Sequence, residues 1–177
     1  MKQETTATTG NKKLALMFVH YKAWANELTY SSLANISSEE LNKPRQTNFK
    51  TILHTLNHVY VVDDIFQAHL QHRQHGYSAR NTEITPPLEA LRQAVENMDK
   101  WYIELAQNLS EEELSETINF EFVGGGEGAM TRMEILLHVV NHATYHRGFV
   151  SDMMYQIPAR PTANDLPVFL REVWQKG

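Results

Sequence analysis

Apolar residues recur at spacings of three and four along most of this chain, and the recurrence stops where capping residues, glycines and prolines stand. From Lys13 to Leu33 the positions Leu14, Phe18, Tyr21, Ala25 and Leu28 predict an amphipathic helix ending near Asn35. Ser37 to Leu41 predicts one short helical turn, and Pro44 prevents a longer one. A second long helix is expected from about Asn48, which can cap its first turn, to about His75, with Gly76 as its stop. Its apolar residues fall on two stripes, one through Phe49, Ile52, Leu56, Val59, Phe66 and Leu70, the other through Val61, Val62 and Ile65. A single buried face cannot hold both, so the extra stripe must meet the interior, a second subunit, or both.

Pro86-Pro87 opens a third helix running to about Leu109, with Leu88, Leu91, Val95, Met98, Tyr102 and Leu105 along one side. Between Ser115 and Arg132 the period changes to alternation around Ile118, Phe120 and Phe122, followed by Gly124-Gly125-Gly126-Glu127-Gly128, which predicts a short extended or hairpin excursion. Thr131 with Glu134 three residues later is a capping-box signature, so a fourth helix should run from Arg132 to about Gln156, with Pro158 and Pro161 blocking its continuation. Asn164 to Trp174 can form a brief terminal helix. The class is all-α, with a polar tail over residues 1–12 expected to be disordered and one domain over 13–177.

Composition narrows the chemistry. With 177 residues and 42% hydrophobic content the chain can bury one core. A net charge of −5 offers no electrostatic footprint for nucleic acid or an anionic membrane surface. The absence of cysteine removes disulfides, thiolate ligands and a cysteine nucleophile together, so any metal must sit on His, Asp or Glu. The N-terminal residues lack the apolar core of a signal peptide, and no stretch approaches the roughly 20 apolar residues of a membrane span. A cytoplasmic protein is expected.

In the fourth helix His138, His142 and His146 stand four residues apart on the stripe of Ile135, Val139, Phe149, Val150 and Met153. A pair at i and i+4 can converge on one ion, and neutral imidazole suits zinc, nickel, copper or iron. Helices carry such pairs by chance, so a third ligand decides the matter. His58 and His54, one turn apart in the second helix, both lie where they could face the fourth. Three histidines from two helices would leave a coordination position free for water or substrate.

The segments Leu56-Asn57-His58-Val59-Tyr60-Val61-Val62-Asp63 and His138-Val139-Val140-Asn141-His142-Ala143-Thr144-Tyr145-His146-Arg147-Gly148 resemble those of the DinB and YfiT-like superfamily of metal-binding four-helix bundles. The resemblance extends over almost the whole chain beyond the tail. It implies an up-down-down-up helix order, frequent homodimers, and one divalent metal on His58, His142 and His146, with zinc or nickel the first candidates and iron or manganese next. Many members carry a second His directly before the last ligand and a Gln after the Arg-Gly pair, where this chain has Tyr145 and Phe149. Some transfer low-molecular-weight thiols and others are metal-dependent hydrolases, so a thiol transferase or a hydrolase acting on a small molecule is expected. The alternatives are a non-catalytic metal-binding module and a metal-free dimeric scaffold.

The remaining candidates have plainer explanations. His54 and His138 read as hydrogen-bonded histidines beside the ligands. His69, His72 and His75 read as a solvated helix end. Asp63 and Asp64 point away from His58 on a helix and suit capping, salt bridging or a dimer contact. The glycine run lacks the Gly-Lys-Ser/Thr ending of a phosphate loop and reads as a flexible turn.

Overall fold

A computed structural model describes residues 10–157 and 159–176. Four long helices dominate it: α1 Gly10–Leu33, α3 Ile52–Leu70, α4 Leu88–Asn108 and α6 Arg132–Met154. Shorter pieces connect them, namely α2 Ser38–Asn42, α5 Glu111–Leu114, the strands β1 Thr117–Glu121 and β2 Glu127–Thr131, and α7 Leu166–Glu172 followed by a 3-10 turn at Trp174–Lys176. Packing runs in a ring, α1 on α4, α4 on α3, α3 on α6 and α6 on α1. The chain is mostly helical, as its periodicity predicts.

Residues 1–9, Pro158 and Gly177 lie outside the described residues, so only the last three positions of the expected disordered tail, 10–12, are described. There the expectation is corrected, because α1 already begins at Gly10. The buried face of α1 also differs from the predicted stripe. Tyr21 and Ala25 of that stripe are buried, but the face also runs through Ala15, Val19, Lys22, Asn26, Thr29 and Leu33, while Leu14 is exposed. Two of these are polar residues whose partners lie on other helices, which a count of apolar positions cannot see.

The second long helix is shorter than predicted at both ends. Lys50 adopts φ 62° and Thr51 supplies the cap, its Oγ1 accepting from the His54 amide, so the helix starts at Ile52. At the other end His72 takes φ 54°, well before Gly76. Both apolar stripes of α3 are buried within one chain: Val61, Val62 and Ile65 are 0%, 5% and 5% exposed. Residues 71–87 fold back along α3, pinned by Tyr77 Oη donating to Asp64, Asn81 Nδ2 donating to the His54 carbonyl, and Asn57 Nδ2 donating to Thr82 Oγ1. The extra stripe therefore requires no second subunit.

The hairpin forms as expected, antiparallel from Thr117 opposite Thr131 to Glu121 opposite Glu127. Gly124, Gly125 and Gly126 turn it at φ near 100°, a region that favours glycine. α6 follows directly and carries the predicted capping box, with Thr131 Oγ1 accepting from the Glu134 amide and Glu134 Oε2 accepting from the Thr131 amide. It ends at Met154, two residues before the expected Gln156.

The core divides into two apolar clusters. One takes the first halves of α1 and α6 and the second halves of α3 and α4, including Val19, Val62, Phe66, Tyr102, Ile118, Ile135 and Phe169. The other takes the opposite halves, including Tyr30, Leu33, Ile52, Leu53, Leu91, Val150 and Met153. Between them, at the middle of all four helices, lie Lys22, Asn26, His58, Asp63, Asp99, His146 and Arg147, all buried. No described helix is long and apolar enough to cross a membrane.

Candidate metal centre

Each turn of α6 brings another imidazole to the side that faces α3. His58 and His146 are buried and His142 is half-buried, and one nitrogen from each of the three lies within 4.8 Å of the others. His58 Nε2 stands 3.2 Å from His142 Nε2. In a tetrahedral site with bonds of about 2.0–2.1 Å, two ligand nitrogens stand about 3.3 Å apart, so this pair already has ligand spacing.

Protonation and orientation favour the same use. Burial, reinforced by the neighbouring histidines, pushes His142 down to about 2; burial and His58 push His146 down to about 4. Burial also lowers His58. All three rings are neutral near pH 7, with lone pairs free to bind a cation. His58 Nδ1 lies 2.8 Å from the Arg80 carbonyl, to which it can only donate. That bond fixes the tautomer and leaves the Nε2 lone pair facing the cluster. His142 Nδ1 and His146 Nδ1 are buried without a hydrogen-bond partner, so each ring has bonding capacity that the described residues do not use. The donor set fits a divalent transition ion. It is all nitrogen and uncharged, with His58 oriented by the Arg80 carbonyl, and no carboxylate or thiolate stands in it.

Aromatic rings cover one side of this cluster. Phe49 packs against His58 at 4.9 Å and edge-on to His146 at 4.6 Å, and Phe149 lies 5.8 Å from Phe49. Tyr145 sits outside them, 62% exposed and 5.0 Å from Phe149. On the other side His58 and His142 border a cavity of about 440 Å³ between α3, α6 and the hairpin, with Phe66, Phe120 and Met130 in its walls. The cluster is shielded on one flank and approachable on the other.

The other sequence candidates separate clearly. His54 is held near Asn81, one turn from the cluster, and His138 lies in the cavity wall 4.6 Å from Phe66. His69 departs from the solvated-end expectation: its ring stacks on Phe120 at 4.7 Å and lines the same cavity. Asp63 is a salt-bridge partner, with Oδ2 2.7 Å from Lys22 Nζ, and Asp64 pairs with Arg73.

Sequence reasoning missed the polar layer beside the cluster. Lys22 also pairs with Asp99; Asn26 donates to Asp99 and accepts from Arg147, which donates in turn to Thr144. A lysine and an asparagine four apart within an apolar helical stripe were the available signal. Arg80, whose carbonyl holds His58, had none, because the contact spans 22 residues and uses only the main chain.

Comparison with known proteins gives a consistent result. The family model described as the DinB family matches residues 1–176. Among characterised sequences, Protein DinB of Bacillus subtilis (strain 168) is 26% identical over 165 residues, 88% of this chain and 93% of that protein.

Proposed function

Because the chain belongs to the DinB family and its helices gather three neutral imidazoles, we propose that it is a metal-dependent enzyme of the thiol-transferase or hydrolase type. His58, His142 and His146 hold one divalent transition ion, zinc or nickel before iron or manganese. The observation that carries the proposal is the convergence of three histidine nitrogens within 4.8 Å at the border of a cavity. When bound, such an ion supplies Lewis-acid chemistry near neutral pH.

The chain's own residues do the rest. The Arg80 carbonyl orients His58, Phe49 and Phe149 keep water from one flank, and the cavity admits a small molecule to the other. The distribution of the four helices over the two core clusters supports an up-down-down-up four-helix bundle in a single domain. A cytoplasmic location belongs to the same proposal.

The direct test is turnover by the full chain, stripped and then reloaded with one equivalent of zinc or nickel. Panels of small thiols with electrophiles, and separately of esters and amides, are the substrates. Metal-dependent turnover in one panel that His142→Ala abolishes is the expected result. A fully loaded protein that turns over neither panel supports the non-catalytic binding module instead.

A further inference from the structure

The cavity beside the histidine cluster has walls whose chemistry is one-sided. Its volume, about 440 Å³, falls in the range of small-molecule sites. Val62, Ile65, Phe66, Phe120 and Met130 make its body apolar. Phe122, at the hairpin end, stands half exposed at the mouth and edge-on to Phe120 at 5.1 Å. Gly128 seats this wall, since a Cβ there would stand 2.5 Å from the Phe120 ring.

Among the described lining residues Arg80 alone carries a permanent charge, and no carboxylate faces it across the cavity. Its guanidinium makes no ion pair among the described residues. Nor is Arg80 on a loosely held loop. Its carbonyl is tied to His58 at 2.8 Å, Asn81 donates to the His54 carbonyl at 2.9 Å, and Thr82 accepts from Asn57 at 2.9 Å. Three consecutive residues are thus fastened to α3, and Arg80, its side chain exposed, borders an apolar chamber.

We infer that this cavity binds a small organic acid, with an aromatic or branched apolar body against the hairpin wall and its anionic group on Arg80. The inference rests on the metal-centre proposal only in placing the acid's reactive part toward His58 and His142. A cationic ligand would find no counter-charge in this chamber, and a neutral one would leave Arg80 unmatched. Arg80 is itself exposed and is the one permanent charge among the described lining residues, so an anionic group gains a charge-assisted hydrogen bond there while its apolar body enters the chamber.

Calorimetric titration of the full chain with 1-naphthoate and 1-naphthalenemethanol tests this, because the two probes share a ring and differ in charge. Each is measured in metal-stripped and zinc-loaded protein. Naphthoate is expected to bind at one site per chain in both forms. Arg80→Gln should weaken it about tenfold, Arg80→Lys should restore part of the loss, and naphthalenemethanol should be indifferent to both changes. Phe122→Ala should weaken both probes. The inference is overturned if neither probe binds, if Arg80→Gln affects both probes equally or neither, or if naphthoate binds only when zinc is present. Metal content of the same samples separates the two ideas. Protein that retains no zinc yet binds naphthoate through Arg80 contradicts the metal centre and leaves the organic-acid site standing.

Discussion

Lys22 has no access to solvent, and its ammonium sits between the carboxylates of Asp63 and Asp99. Burial alone would lower its pKa, but the two carboxylates outweigh that and hold it above the ordinary lysine range. With Arg147 joined through Asn26, two cations offset two anions in the polar layer. Removing one member uncovers the others. Lys22→Met should cost about 3–5 kcal/mol, because two buried carboxylates lose their cation, and urea denaturation would show it as a lower midpoint. The histidines set a different dependence. His58, His142 and His146 are held below their ordinary range in the folded chain, so the unfolded chain binds more protons once the pH drops below about 6.5. Stability of the metal-stripped protein is therefore full above that pH and falls as the pH approaches about 4, where His146 protonates. Each unprotonated histidine adds up to about 1.4 kcal/mol per pH unit to the slope. Denaturant melts between pH 7 and 4 should show this loss, offset in part by Asp63, whose carboxyl is pushed up to about 6 by burial and which gains stability as the pH falls; a profile left unchanged by His142→Ala would contradict neutral buried rings.

The helices were legible wherever one face alone had to be apolar, and the start of α6 was legible in the side chain that caps it. α4 follows its predicted stripe of Leu91, Val95, Met98 and Tyr102, and α6 starts at the predicted capping box. Thr131→Ala removes the acceptor for the Glu134 amide and should lower stability by about 1 kcal/mol. A thermal melt checks this. The ends of α3 were illegible because Lys50 and His72 adopt positive φ without being glycine, and no local rule places them there. Its doubled apolar face was legible as a fact but not in its cause, since Val62 packs into the core and, with Ile65, faces the hairpin across the cavity, while the polar segment 71–87 binds the helix through side chain and main chain hydrogen bonds. The same segment delivers the Arg80 carbonyl to His58. At the candidate site, spacing exposed the pair His142 and His146, and family resemblance selected His58. The cavity wall depended on pairing the hairpin against α3, a long-range arrangement that periodicity does not encode.

Over the whole molecule, buried polar side chains are gathered into one layer between two apolar clusters; His58 and His146 lie in that layer and His142 is half-buried beside it. The proposed cation site joins α3 to α6, the second and fourth long helices, so occupancy should couple to folding of the chain. A ligand that binds only the folded state at a hundred times its dissociation constant adds about 2.7 kcal/mol, and zinc should raise the melting temperature accordingly. Because α3 is covered within one chain, self-association gains no support from its second stripe. Sedimentation velocity showing a dimer would require another surface. The most direct measurement of the central claim is the number of metal equivalents per chain in purified protein, determined by elemental analysis. Wild-type protein and His54→Gln should carry about one equivalent of a single divalent transition metal, while His58→Ala, His142→Ala and His146→Ala, confirmed as folded by circular dichroism, should fall to trace levels. Trace metal in the wild type after reloading, or an undiminished equivalent in the three alanine variants, would contradict it.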